Sequence, residues 1–439
     1  MNAYALPDIP AGSSLALVSL GCAKNTVDLQ NLAGGLLAKG CTLSPDPERA
    51  DVAIVNTCAF IASAREEAER EISRALALKA AGRYGLVAVA GCYPQRYPRA
   101  VSKFPGVDFW FGTPEGWTAQ ATPGLRLTGK AFAYLKIAEG CSRRCAYCAI
   151  PSIRGKYRSR PEDAILHEAE TLLESGCREL VVVAQDPTMY GCDMPRERRT
   201  SLAELLWRLD ELSSDDFWIR VLYVHPAGID GGFVEWLVSA RHAVRYADVP
   251  VQHTVPRVLE RMGRRNAIAA TREIASALRE YVPGVTLRTT VMTGFPGETE
   301  AAFAQLRSDL RRMQFDRLGA FAYSPEAGTR AFKMRGRPSR ATALERERLV
   351  MEDAAALWRL RAAKLVGAVR KALVVAPGVA RLESQAPDVD GVVYLLDSPA
   401  ARRAAPGDFV SVRLVRACGF DFEAEVAAPQ AEKGKGGRR

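Results

Sequence analysis

Short apolar runs alternate with longer polar stretches along most of the chain. Residues 14–19, 51–56 and 85–90 are apolar runs of strand length. The segments between them are Ala- and Glu-rich and carry a helical period, most clearly 62–81. This rhythm predicts a parallel sheet with crossover helices over residues 13–125. It resumes over 127–364, where 180–184, 218–223, 249–251, 287–292 and 317–323 read as strands. Polar groups follow each of them: Gln185-Asp186, His225-Pro226, Gln252-His253, the stretch from Thr293 to Thr299, and Ser324-Pro325. Polar residues at the carboxyl ends of parallel strands are what an active-site rim requires. From about Gly367 the pattern becomes Val-rich and Gly-punctuated, which predicts a small β-barrel over 367–430. A Gly- and Lys-rich tail at 431–439 reads as disordered.

Composition changes this picture little. With 439 residues and 48% hydrophobic content, the chain has room for about three domains, each with its own core. A net charge of +10 fits an acidic partner and plain solubility equally well. The first residues show no basic stretch followed by an apolar core, and no apolar run is long enough to span a bilayer. Ten cysteines in that context point to the reducing cytoplasm and to metal ligation, not to a disulfide framework.

The cysteines fall into two groups. Cys141, Cys145 and Cys148 lie within eight residues, bracketed by Gly140 and Pro151. Three thiolates on one metal centre leave a coordination position open for chemistry. The bland alternatives are a structural zinc knuckle or a cysteine stripe on a helix; the nearest histidine, His167, is nineteen residues beyond Cys148. The second group is spread out. Cys22, Cys58 and Cys92 each follow an expected strand, at intervals of 36 and 34 residues. Strands of a parallel sheet present their carboxyl ends along one edge, so these three converge on a second metal site. Cys41, Cys177, Cys192 and Cys418 read as ordinary core or surface thiols. In the basic stretch from Arg154 to Pro161, Arg160 or a neighbour suits a bidentate grip on a carboxylate, and a solvated basic loop is the plain alternative. His225 and His253 read as structural hydrogen-bonders, and no residue is assigned as catalytic.

The C-x-x-x-C-x-x-C spacing, with Tyr147 before the third cysteine, resembles the radical S-adenosylmethionine enzymes. The resemblance implies a 4Fe–4S cluster on Cys141, Cys145 and Cys148, whose remaining iron is chelated by S-adenosylmethionine and whose reduction releases a 5′-deoxyadenosyl radical. It also implies an incomplete (β/α) barrel, with Tyr147, Arg160, Gln185, Gly294 and Gly297 near the cofactor; the two glycines would admit it close to backbone. Leu20-Gly21-Cys22-Ala23-Lys24-Asn25, Asn56-Thr57-Cys58-Ala59-Phe60 and Gly91-Cys92 are similar to the N-terminal domain of the methylthiotransferases. That implies a second 4Fe–4S cluster on Cys22, Cys58 and Cys92. The segments from Pro387 to Tyr394 and from Pro406 to Val410 resemble a TRAM domain.

Residues 139–155, 184–191 and 317–325 resemble the branch of that family that modifies an aspartate of ribosomal protein uS12. Arg264-Arg265-Asn266 departs from the branch's usual turn. The implied activity is methylthiolation of the aspartate β-carbon, by a cytoplasmic monomer reduced by a donor such as flavodoxin or ferredoxin. Two alternatives stay open: a methylthiotransferase acting on tRNA adenosine, and a non-catalytic zinc-binding adaptor. Over 367–430 seven Lys and Arg stand against eight acids, a balance better suited to a basic protein than to a polyanion.

Overall fold

The computed structural model describes residues 9–113 and 125–427, so the expected tail at 431–439 lies outside the described residues. The first unit is a five-stranded parallel sheet. Its strands are β1 (Ser14–Ser19), β2 (Thr42–Leu43), β3 (Ala50–Thr57), β4 (Tyr84–Gly91) and β5 (Phe109–Trp110), in the spatial order β2-β1-β3-β4-β5. β3 is apolar and buried along nearly its whole length, as a strand covered on both faces must be. The crossovers are α1 (Ala23–Leu37) and α2 (Ala62–Ala80). Helix α2 buries Ala68, Ile72 and Ala75, one stripe at helical spacing. A short helix, α3 (Cys92–Arg96), follows β4 directly.

The middle unit begins with β6 (Phe132–Lys136), a strand that the hydrophobic pattern does not disclose. A two-residue pairing of β7 (Ala138–Glu139) with β8 (Arg158–Ser159) closes a loop that contains α4 (Ile150–Ile153). Alternation then runs through α5 (Glu162–Glu174), β9 (Glu179–Val183), α6 (Leu202–Asp210), β10 (Trp218–Val221), α7 (Gly231–Ser239) and β11 (Tyr246–Asp248). It continues through α8 (Pro256–Arg261), α9 (Ile268–Tyr281), β12 (Thr286–Thr293), α10 (Glu300–Met313), β13 (Arg317–Ala322) and α11 (Arg340–Leu365). The parallel sheets β6-β9-β10 and β11-β12-β13 are joined by a bridge between Ile219 and Ala243, giving six strands in an open barrel. The strand expected at 249–251 lies instead three residues earlier. Pro250 has no N–H to give a ladder, so regular pairing with β12 stops at Asp248 and returns only at the Gln252–Val291 bridge.

The third unit is a closed antiparallel-rich barrel, as expected: β14 (Val369–Ala376), β15 (Val379–Leu382), β16 (Val393–Leu395), α12 (Pro399–Arg403), β17 (Phe409–Cys418) and β18 (Asp421–Val426). Val412, Leu414, Phe422 and Ala424 alternate inward from β17 and β18. This barrel docks on the open barrel through buried polar bonds. Glu179 pairs with Arg220 at 2.7 Å and with Arg381 of β15, Tyr134 donates to Asp388 at 2.5 Å, and Tyr246 donates to Asp390. Burial alone would raise Glu179, but Arg381 and Arg220 outweigh it and hold the carboxyl below its usual range.

Candidate active site

The loop from Gly140 to Tyr157 carries the compact cysteine triad, and hydrogen bonds fix both of its ends. Cys141 N–H donates to Gly155 O at 3.1 Å, and Tyr157 N–H donates to Ser142 Oγ at 3.1 Å. Inside it, Ala146 N–H donates to Met262 O and Ala146 O accepts from Ala331 N–H, each at 2.8 Å. These two bonds pin the turn between Cys145 and Cys148 to the far side of the barrel. The Tyr147 hydroxyl accepts from Arg264 at 3.2 Å, and its ring meets Phe295 edge-on. Burial pushes the Cys141 thiol up to about 11 and the Cys148 thiol up to about 12, with the neighbouring cysteines adding to both. Such thiols ionise only beside a compensating positive centre, which is the environment that a metal cluster supplies.

The second triad is assembled by the sheet. Cys22 follows β1 at the start of α1, Cys58 follows β3, and Cys92 opens α3 after β4. The loops touch: a Cβ on Gly21 would lie 2.8 Å from Cys58 Cβ and 3.3 Å from its Sγ, and Gly21 holds φ at +97°. Burial pushes the Cys58 thiol up to about 12, Cys92 adding to it, and burial raises Cys92 as well. Cys22 goes the other way. Burial would raise it, but Lys24 and Arg154 together with the N–H groups of Asn25 and Lys24 lower it. Among the described residues no three His, Cys, Asp or Glu side chains converge on a single metal ion. Three thiolates in each set are the donor chemistry that an iron–sulfur cluster takes.

A buried ion network joins the two triads. Arg154, inside the loop, bonds Asp28 of α1 at 2.8 Å, Glu139 of β7 at 2.9 Å, and Asn25. It also lies 3.4 Å from Cys92 Sγ. Lys136 of β6 pairs with the same Asp28 and, at 2.6 Å, with the same Glu139. Gln185 Nε2 donates to Glu139 at 2.8 Å. Burial opposes ionisation of Glu139, yet Lys136 and Arg154 hold its carboxyl down to about 2. Two cations and two carboxylates, each at most 4% exposed at the side chain, therefore balance one another between the sheet-edge triad and the loop triad.

The rim holds the remaining polar groups. Asp186 accepts from Arg143 at 2.7 Å. His225 Nδ1 accepts from Ala227 N–H at 3.2 Å, which leaves the ring proton on Nε2. Burial, helped by Arg264 and Arg143, pushes this imidazole down to about 2, so it is neutral. His253 Nδ1 accepts from Val255 N–H, with Nε2 lying 3.4 Å from Glu298. Gln185 Oε1, His225 Nε2, Gln252 Oε1 and Thr254 Oγ1 are buried without a protein partner. Orphaned polar atoms beyond the ends of β9, β10 and β11 fit a polar cofactor such as S-adenosylmethionine.

Three expected cofactor contacts take a different form. Arg160 is buried with its guanidinium on Glu168 of α5 and on Ala164 O, so an internal carboxylate occupies the grip expected for a ligand. A Cβ on Gly294 would come within 2.2 Å of Ala343 Cβ in α11, and one on Gly297 within 2.5 Å of Arg261 Nε. Protein packing accounts for both glycines. The structure adds Arg143, Arg154 and Arg264, none of which was singled out as a site residue. Arg264 appears in the sequence only as a departure from a turn, yet it is buried and also donates to Pro250 O at 2.9 Å.

Comparisons with known proteins agree with this layout. Residues 14–112 match an uncharacterized protein family, UPF0004; residues 135–310 match the radical SAM superfamily; residues 371–427 match the TRAM domain. The chain is 38% identical to the ribosomal protein uS12 methylthiotransferase RimO of Trichlorobacter lovleyi, over 95% of this chain and 98% of that protein. It is 40% identical to that of Desulforudis audaxviator, over 94% and 97%. Among solved structures, the radical S-adenosylmethionine methyltransferase TsrM of Kitasatospora setae aligns with a TM-score of 0.51 at 15% identity, covering 90% of this chain and 82% of that one, a likeness of fold.

Proposed function

The chain belongs to the RimO family of ribosomal protein uS12 methylthiotransferases, and from that premise we propose that it methylthiolates the β-carbon of an aspartate in uS12. The observation that carries the reading is the pair of cysteine triads joined through Arg154. Cys141, Cys145 and Cys148 hold the cluster that binds S-adenosylmethionine, and Cys22, Cys58 and Cys92 hold the second 4Fe–4S cluster. When bound, these groups and S-adenosylmethionine supply the methyl group and a radical able to take hydrogen from an unactivated carbon. The chain's own residues orient and shield. Arg264 and Phe295 fix Tyr147 and the loop, the orphaned atoms of Gln185, His225 and Gln252 receive the cofactor's polar groups, and the Arg154 network keeps the two triads in register.

We assign the second cluster to residues 13–125, the radical core to 127–364 and substrate docking to 367–430. The tRNA alternative calls for free cations on the third unit. Of its seven Lys and Arg, Lys371, Arg381, Arg402 and Arg416 are paired with acids. That favours a basic protein as partner. The reading extends to a cytoplasmic monomer and a flavodoxin- or ferredoxin-type donor; no helix among the described residues is long and apolar enough to cross a membrane.

Incubation of the anaerobically reconstituted enzyme with uS12, S-adenosylmethionine and a reductant, read by mass spectrometry, tests this. The wild type adds one methylthio group to an aspartate. Cys145→Ala abolishes both product and S-adenosylmethionine cleavage, whereas Cys58→Ala abolishes product and retains cleavage. Full product from Cys58→Ala, or none from the wild type, overturns the reading.

A further inference from the structure

We propose that Lys24 receives the side-chain carboxylate of the substrate aspartate. The inference rests on the uS12 aspartate reading above and adds the residue that recognises it. Lys24 stands in the first turn of α1, two residues after Cys22, and is 9% exposed. Two other buried cations, Lys136 and Arg154, are neutralised by Glu139 and by Asp28, which lies one turn along α1 from Lys24. No described carboxylate pairs with Lys24; its ammonium lies 3.6 Å from the centroid of the Tyr223 ring.

Tyr223 is held for that contact. It sits just past the carboxyl end of β10 at φ +69°, in the left-handed region, with its N–H donated to Asp248 Oδ2 at 3.0 Å. Strain of this kind persists only where surrounding structure enforces it, and it collects at ligand sites. A largely buried lysine without an acid is costly to keep, and an aromatic face compensates only part of that cost. The missing partner is an anion. A carboxylate suits the three donors of the ammonium, and it would arrive between the sheet-edge triad at Cys22 and the rim of the open barrel. In aspartate the β-carbon is bonded directly to the carboxyl carbon. A residue that fixes the carboxylate therefore also fixes the carbon to be modified, which places Lys24 as a substrate-positioning residue.

The plain alternative is that Lys24 serves only the thiolate of Cys22, whose ionisation it favours. Calorimetric binding of reconstituted enzyme to uS12, and to a uS12 variant with asparagine at the target position, separates the two. Iron content and the electron paramagnetic resonance of the reduced clusters are read in parallel. The wild type prefers aspartate by about tenfold, the scale of one charge-assisted contact. Lys24→Met removes that preference with iron content and spectrum unchanged, and Lys24→Arg restores part of it. A wild-type aspartate-to-asparagine ratio in Lys24→Met, no preference in the wild type, or iron lost from Lys24→Met would overturn the assignment. Failure of the functional reading shows separately, as absence of methylthiolated uS12 from the wild type.

Discussion

The two cysteine triads are built in opposite ways. One is local: eight residues of a single loop carry Cys141, Cys145 and Cys148, and four hydrogen bonds at 2.8–3.1 Å hold that loop in place. The other is topological: Cys22, Cys58 and Cys92 come from three crossover units and meet only because β1, β3 and β4 are parallel neighbours. Their surroundings differ as well. Burial raises Cys141 and Cys148 in the loop triad and Cys58 and Cys92 in the sheet-edge triad, but the sheet-edge triad adds the cations Lys24 and Arg154, which lower Cys22. A local site depends on its loop. An assembled site depends on the whole sheet and on whatever ties that sheet to the rest of the molecule.

Arg154 is that tie, and its removal has the largest expected effect on stability. Arg154→Met strips one cation from two buried carboxylates that it shares with Lys136, a change of about 3 kcal/mol or more by analogy with broken buried ion pairs. Thermal unfolding of the variant should begin well below that of the wild type, with iron released first from the sheet-edge site. Equal retention of both clusters would show that the two triads are not coupled through this residue.

His225 offers a smaller test on the loop side. Its folded pKa of about 2 lies below its ordinary value of 6.5, so between those values the unfolded chain binds a proton that the folded chain does not. The stability this neutral imidazole contributes is full above pH 6.5 and falls with pH, by at most about 1.4 kcal/mol per unit. His225→Gln should flatten the acid limb of a melting-temperature profile between pH 6.5 and 5. An unchanged slope would mean that the ring is protonated in the folded protein.

Much of this contrast was legible in the sequence. Spacing alone disclosed the loop triad, and the strand–helix rhythm placed the other three cysteines on one sheet edge. β6 was hidden because its short apolar run ends in Lys136, a charge that is buried only by virtue of Asp28 and Glu139. The Arg154 network could not be read because it needs one residue from a loop of the middle unit and two from a helix of the first. At Gly294 and Gly297 an added side chain would meet Ala343 and Arg261, contacts between distant segments that no linear pattern discloses. Lys24 was visible only as one position of a cysteine motif, since nothing in a linear chain marks a buried ammonium as lacking its acid.

The central claim is that the molecule carries two independent clusters. Iron and sulfide analysis after anaerobic reconstitution, on the wild type and on the Cys141→Ala, Cys145→Ala, Cys148→Ala triple variant, tests it most directly. About eight irons falling to about four is the predicted result, since each cysteine set holds one four-iron cluster. About four irons falling to none would contradict it, leaving the sheet-edge cysteines without a metal to hold.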